Sequence, residues 1–452
     1  MVHISRYGSL LAGCLFLNLA SADDLFFIYQ QAIEADPEHK AAEAQADIGT
    51  AQKWQALGQM LPQVNATGNW SKNSQRSDPG VRASNRQYPG TRYFVSLNQS
   101  LVDFAKFWEW RRASKTEDQY LSESLEARND LIFNVVDRYF SVLEAEDKLF
   151  FIQNERVSTE KQLLQVHKQF EKNLIKVTDV YAIEAHLDQT IADEIESESV
   201  LITARQSLKE LTGLEHEKLN KLKENITYHE IKGNLNDWIN MAKNQNPTLL
   251  SKKSAIEAAE DNVAVQKSKY LPVVDFQLNF NENNTGYQNM YNGYDYQTQT
   301  AAINVNVPIF SGGITTQQVS EANSKLRLSQ YENESTLRAL IKETSDAFLT
   351  SNANARRIKA AEKALESATK SRISMERSLS YGLETVLDVL KSHQDEYMAK
   401  KDLAQAKYAY IKNRVRFMRA IGSINEENLL EINDWLTSDN HKLVLNPNEG
   451  IN

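Results

Sequence analysis

The chain of 452 residues is 25% charged and 41% hydrophobic with 9% aromatics, so it is neither disordered nor uniformly membranous, and it carries more rings than a purely fibrous coiled coil. A formal charge of −9 excludes the basic excess that a phosphate-binding surface would show, so no nucleic acid is expected as a partner. The only cysteine is Cys14, which excludes an intramolecular disulfide and a cysteine-based metal site.

An apolar run from Leu10 to Leu19 follows Arg6 and ends in Ala20-Ser21-Ala22, the small-x-small arrangement of a cleavage site. Residues 1–22 therefore read as a secretory signal peptide, whose removal leaves a mature chain of about −10. A rival is Leu11-Ala12-Gly13-Cys14, which resembles a lipoprotein processing site with lipid on Cys14. There the apolar segment before Cys14 is very short and another apolar segment remains after it, which favours a mature start at Asp23. No other stretch reaches the roughly 18 apolar residues of a spanning helix, so entry into a membrane requires strands.

From Asp23 the pattern is helix, two strands, long helix and shorter helix, and then the same again. Asp36-Pro37 recurs as Asn246-Pro247 and Leu61-Pro62 as Leu271-Pro272, each 210 residues on, while Gly213 and Gly422 lie 209 apart. This divides the chain into a first repeat (23–213), a linker (214–233), a second repeat (234–422) and a polar tail (423–452).

The strands alternate. Val64, Ala66, Gly68 and Trp70 fall on one face, as do Tyr93, Val95, Leu97 and Leu101, with Phe94 breaking the pattern. Val274, Phe276, Leu278 and Phe280, then Ala301, Ile303, Val305 and Val307, repeat it. Segments of about ten residues with period two are what an outer-membrane barrel requires. Four strands cannot close a barrel, and an open edge cannot face lipid, so the chain must oligomerise; a trimer gives about twelve strands and a lumen.

The helices set the other dimension. No proline lies between Pro89 and Pro247 or between Pro308 and Pro447, and no glycine between Gly90 and Gly213. Phe104 to Lys172 and Ile314 to Ser380 can each run as a helix of about 100 Å at 1.5 Å per residue. Asp23 to Gly58 with Leu174 to Thr212, and Asn234 to Lys269 with Leu383 to Ile421, are expected as continuous helices of half that length. Stacked end to end, each pair matches one long helix.

The two shorter helices of each repeat's far end begin alike, with "NLIKVTDV" from Asn173 and "GLETVLDV" from Gly382. Asn173 and Gly382 tolerate positive φ and sit where each long helix turns back. Thr385 and Asp388 have the spacing of a capping box for the returning helix. An aspartate in a first helical turn also compensates the helix dipole with no further role.

These residues resemble the TolC-like outer-membrane efflux proteins. The resemblance runs over nearly the whole mature chain: "DDLFFIYQQAIEADPEHK", "LPQV", "VPIFSGG", both tip motifs and "AKYAYIKNRVRFMRAIGSINEENLLEIN" occur in order, duplicated and correctly spaced. It implies a mainly α fold with β: a homotrimer whose 12-stranded outer-membrane β-barrel continues into a long periplasmic α-helical barrel closed at its tips like an iris. It implies an exit duct for efflux or type I secretion, in outer-membrane lipid, with a periplasmic adaptor and an inner-membrane transporter of RND, ABC or MFS type, and no cofactor. Asp388 matches the constriction aspartate, and Thr178 and Asp179 match residues that hold the closed tips. Asn173, Leu174, Gly382 and Leu383 match tip turns that dock the adaptor. Three positions depart from the pattern: Lys391 stands where an acidic residue is expected, Glu384 where a basic one is, and Leu379 where a tyrosine is. Lys391 and Tyr381 are candidate substitutes in the closing contacts.

The rivals are an enzyme and an exported coiled-coil stalk or adhesin. The eight histidines are scattered, with no His-Glu-x-x-His, phosphate loop or nucleophile elbow. His186 near Glu184 and His393 near Asp395 read as solvated helix-surface residues. A stalk accounts for the helices but leaves four alternating strands without a purpose.

Overall fold

In the computed structural model, residues 23–77, 84–285 and 294–437 are described; the expected signal segment and the second half of the polar tail lie outside them. The first repeat contains α1 (Leu25–Ala35), α2 (Pro37–Gly58), β1 (Gln63–Ser77), β2 (Ser84–Val102), α3 (Phe104–Glu171) and α4 (Val177–Thr212). The second contains α5 (Leu235–Gln245), α6 (Pro247–Ser268), β3 (Val273–Thr285), β4 (Tyr294–Asn306), α7 (Ile314–Ser380) and α8 (Val386–Ala420), and α9 (Glu426–Asn433) follows.

The first helix of each repeat is broken, not continuous as its composition suggests. Asp36 and Asn246 precede prolines, which push them to extended backbone at ψ 118° and 123°. The same side chains then cap the next helix: Asp36 accepts from the amides of Glu38 and His39, and Asn246 from that of Leu249 at 3.2 Å. Proline at the first helical position loses no bond, since its missing N–H has no intrahelical partner there. The remaining half-helices, α4 and α8, each start three residues later than expected, at Val177 and Val386.

The four strands form one antiparallel sheet in chain order, with β2 joining β3 across the two hairpins. The pairing aligns the apolar runs. Ala66 lies opposite Val95, Val95 opposite Phe280, and Leu97 opposite Leu278, which faces Ala301. The other face carries Asn65, Ser96, Asn279 and Thr300 in one row. Phe94, which interrupts the alternation, falls on this polar face between Thr67 and Asn281. One face is therefore fit for hydrocarbon and the other for water. Among the described residues, β1 and β4 each have one free edge.

The α3 helix is 68 residues and α7 is 67, each close to 100 Å. Near the sheet the helices lie side by side in the order α2, α3, α6, α7; toward the far end the order is α4, α3, α8, α7. The largest core lies between these halves, where Leu25, Ile28 and Tyr29 of α1 meet Tyr139 and Phe140 of α3 and Leu429 of α9. The Tyr139 hydroxyl donates to the Asn220 carbonyl at 2.9 Å, which anchors the segment linking the repeats.

Candidate functional site at the helical tips

Both tips close by the same backbone device. Asn173 has φ 54°, the only non-glycine positive φ among the described residues, and Gly382 has φ 72°. Beyond each, the amide of the next residue reaches back into the helix: Leu174 N–H donates to Gln169 O and Leu383 N–H to Ser378 O, both at 3.0 Å. These bonds satisfy carbonyls that a helix end leaves unpaired. The turns expose Leu174, Tyr381 and Leu383, at 69%, 79% and 76%.

The returning helices start differently. At α8 the capping box is complete: Thr385 Oγ1 accepts the Asp388 amide at 3.3 Å, and Asp388 Oδ2 accepts the Thr385 amide at 3.2 Å and its hydroxyl at 2.5 Å. The Thr385 hydroxyl, then its amide, hold the Asp388 carboxyl below the usual carboxylate range, and the Lys391 charge adds to this. At α4 only half a box forms. Asp179 accepts the Lys176 amide at 3.4 Å, but a lysine side chain has no acceptor to return the bond, and the Asp179 amide goes to Lys176 O at 3.0 Å. Thr178 and Lys391 are exposed and Glu384 is half-buried. Among the described residues neither Lys391 nor Glu384 forms an ion pair of its own.

A small core holds the turns against each other: Val166, Val180, Ile183, Val386 and Leu390 are buried together, with Leu379 packed on them. Leu379 thus serves packing where a tyrosine would offer a hydroxyl. The structure brings Asn173, Leu174, Thr178 and Asp179 to one turn, and Tyr381, Gly382, Leu383, Glu384, Asp388 and Lys391 to its neighbour.

Above this core lies a set of polar contacts that sequence spacing did not reveal. His186 and His393 are not solvated. Their side chains are 15% and 14% exposed, and their partners are Glu155 at 3.3 Å and Glu376 at 2.9 Å on the long helices. The amide of Gln394 also meets His186 Nδ1 at 3.0 Å, tying α8 to α4. Glu396, 7% exposed, takes Thr369 at 3.1 Å, Lys400 at 3.2 Å and the Arg372 guanidinium. Burial pushes Glu396 up, but the bonds from Lys400 and Thr369 and the Arg372 charge outweigh it and hold it below the usual range. Each long helix has neighbours on two sides, so polar residues off the apolar stripe become interhelical.

An apolar-faced sheet with two open edges, joined to helices of about 100 Å that end in paired turns, defines the subunit of a membrane channel with a periplasmic extension. The chain belongs to the outer membrane efflux protein family, whose pattern it matches over residues 28–214 and 238–423. It is 29% identical to outer membrane protein TolC of Vibrio cholerae over 418 residues, which cover 92% of this chain and 94% of that one. It is 27% identical to the alkaline protease secretion protein AprF of Pseudomonas aeruginosa, over 89% of this chain and 85% of the other. The fold superposes on the Campylobacter jejuni CmeC outer membrane channel with a TM-score of 0.78 at 15% identity, covering 97% and 98% of the two chains. The protein is thus an outer-membrane exit duct that reaches into the periplasm. Three chains of four strands close a 12-stranded barrel, and the family is one of channels, not enzymes.

Proposed function

We propose that the trimer receives substrates from an inner-membrane transporter through a periplasmic adaptor and is gated at its tips, where three copies of Asp388 ring the narrow end. The observation that carries this is the exposed Asp388 carboxylate, held ionised by Thr385 beside two tip turns that project Leu174, Tyr381 and Leu383 into solvent. A ring of carboxylates in a narrow, low-dielectric aperture raises local negative potential and favours cations. Lys391, one turn along α8, can extend its stem away from the axis, whereas Asp388 cannot.

Apolar side chains on exposed turns fit an adaptor's packing surface, and Asn173, Leu174, Gly382 and Leu383 are the docking residues in this reading. Thr178, Asp179, Tyr381 and Glu384 lie where neighbouring tips would meet and form the closed-state contacts. Similarity to an alkaline protease secretion protein supports protein cargo, and the inner-membrane transporter in this reading is of ABC, RND or MFS type. The boundaries of this reading are the repeats 23–213 and 234–422, with 1–22 removed. Co-purification after crosslinking tests the partners: adaptor recovered with the wild type and lost with Leu174→Asp and Leu383→Asp supports it, and undiminished recovery refutes it.

A further inference from the structure

We propose that Arg92, three times around the barrel, forms a positively charged ring in a lumen that is otherwise uncharged at that height, and that this ring makes the outer end of the duct prefer anionic groups of passing solutes. Only the 12-stranded barrel is needed for this, not the gating of the tips.

Strand pairing puts Arg92 on the lumen face. It stands in a row with Asn69, Asn283 and Tyr296, four residues along each strand from the polar row of Asn65, Ser96, Asn279 and Thr300. Side chains alternate between the faces of a sheet, so four residues on is the same face. On the opposite face the flanking rows hold Trp70 and Tyr93, whose rings meet edge-on at 5.8 Å. Paired aromatics of this kind mark the membrane surface on a barrel. Asn69 lies about 20 Å along β1 from Gln63, so the ring is at the end of the barrel away from the helices.

Nothing on the same face cancels it. From the row of Gln63 to the row of Asn69, the lumen side chains of all four strands are amides, hydroxyls, aromatics or alanine, with Arg92 the sole charge. Glu282 and Asp295 are near in sequence to this row, but they pair with Tyr93 and Asn284 and so belong to the outer face. The next acid on the lumen face, Asp275, accepts the Ser100 hydroxyl at 2.8 Å and lies eight residues from Asn283 along β3. That is about 27 Å, well beyond the screening length of about 8 Å at physiological salt. The tips, at the far end of helices close to 100 Å long, are farther still.

The neighbours of Arg92 suit it to this task. Its own side chain is exposed, whereas Asn283 is 3% exposed. Asn283 Nδ2 donates to the Tyr296 hydroxyl at 2.7 Å, which leaves Asn283 Oδ1 buried and without a partner. Arg92 pairs with Asn283 from the other strand and carries five N–H donors in a planar fork. One of them can go to that oxygen while the others meet a carboxylate or phosphate in the lumen, the groups a guanidinium grips in bidentate fashion. Rings of Arg or Lys are the device of anion-selective pores, and a guanidinium keeps its charge at every physiological pH. The duct thus carries charge of opposite sign at its two ends, Asp388 at the tips and Arg92 at the exit.

Charged thiol reagents measure the potential at the ring. Asn69→Cys in a Cys14→Ser background puts a sulfur beside Arg92, since directly paired residues hold Cβ atoms about 4.5–5.5 Å apart. Once native mass in detergent establishes the trimer, labelling rates are compared for a negatively and a positively charged alkyl thiosulfonate, each relative to free cysteine. The reagents differ by two unit charges, and at about 7 Å from a guanidinium in water this amounts to roughly five- to tenfold in rate. The anionic reagent should be favoured by about that factor at about 0.01 M salt, and the preference should fade at about 1 M, where screening acts within about 3 Å. Arg92→Lys should keep the preference and Arg92→Gln should abolish it. At Asn65→Cys, four residues back along β1, the preference should fall to about twofold. Equal rates for the two reagents at low salt, a preference that survives Arg92→Gln, or an Asn69→Cys thiol that neither reagent reaches in the trimer would overturn the proposal.

Discussion

Gly382 and Gly422 share φ 72° but differ in surroundings, and alanine at each separates backbone strain from packing. At the tip, a Cβ added to Gly382 meets nothing within 4 Å. At the end of α8, a Cβ on Gly422 would sit 2.6 Å from Gln245 O and 2.9 Å from Asn246 Cα, both main-chain atoms at the α5–α6 break. That break is tied to α8 by Asn246 Nδ2 donating to Ala420 O at 3.1 Å, so it cannot retreat without losing the bond. Both substitutions cost about 1–2 kcal/mol for a left-handed residue with a side chain. Gly422→Ala adds about 1–3 kcal/mol for forced overlap in a packed site. At about 1.4 kcal/mol per decade the difference is roughly 5- to 150-fold. The assay is the unfolding rate of the detergent-solubilised trimer, followed by helical circular dichroism at fixed temperature, since large assemblies are compared by rate. Gly422→Ala should unfold faster than Gly382→Ala by that factor. Equal rates, or a larger effect at Gly382, would refute the packing argument.

Asn173→Gly should leave amide exchange around residues 170–180 unchanged, because glycine accepts φ 54° freely, whereas Asn173→Val should accelerate it by about 1 kcal/mol or more. The Asp388 carboxyl is held below its ordinary value, so the contribution of its capping bonds is fully present above the unfolded value of about 3.9 and is lost as pH falls through the lower folded value. Cation preference of the closed channel should accordingly persist from pH 7 to about pH 5 and decline only in stronger acid; decline centred near pH 6 to 7 would point to a histidine instead. Arg372→Met removes one of three groups on buried Glu396 and should loosen α7 against α8 by about 1–2 kcal/mol, seen as faster exchange over residues 366–400. Intact mass should show a mature chain beginning at Asp23 without lipid, and a diacylated Cys14 as first residue would overturn the signal reading.

The duplicated order of elements was legible because prolines and glycines punctuate it at matched positions, and the absence of both over 100 residues gave α3 its length. The strand faces were legible from alternation, and pairing resolved Phe94 by placing it on the polar side. The breaks at Asp36 and Asn246 were hidden, although each precedes a proline, because helix-forming composition resumes directly after them. At the tips, Thr385 and Asp388 declared their box by spacing, since a cap is a local contact. The His186–Glu155 and Arg372–Glu396 contacts join residues on different helices, and their partners depend on a helix register that one sequence does not display.

Single-channel recording in planar bilayers decides whether the trimeric duct narrows to a ring of Asp388 at its periplasmic end. A small, cation-preferring conductance is expected, blocked by multivalent cations from the tip side, with selectivity and block both largely lost in Asp388→Asn. Selectivity and block that are equal in wild type and Asp388→Asn would contradict it, leaving this aspartate as the residue that starts α8 and nothing more.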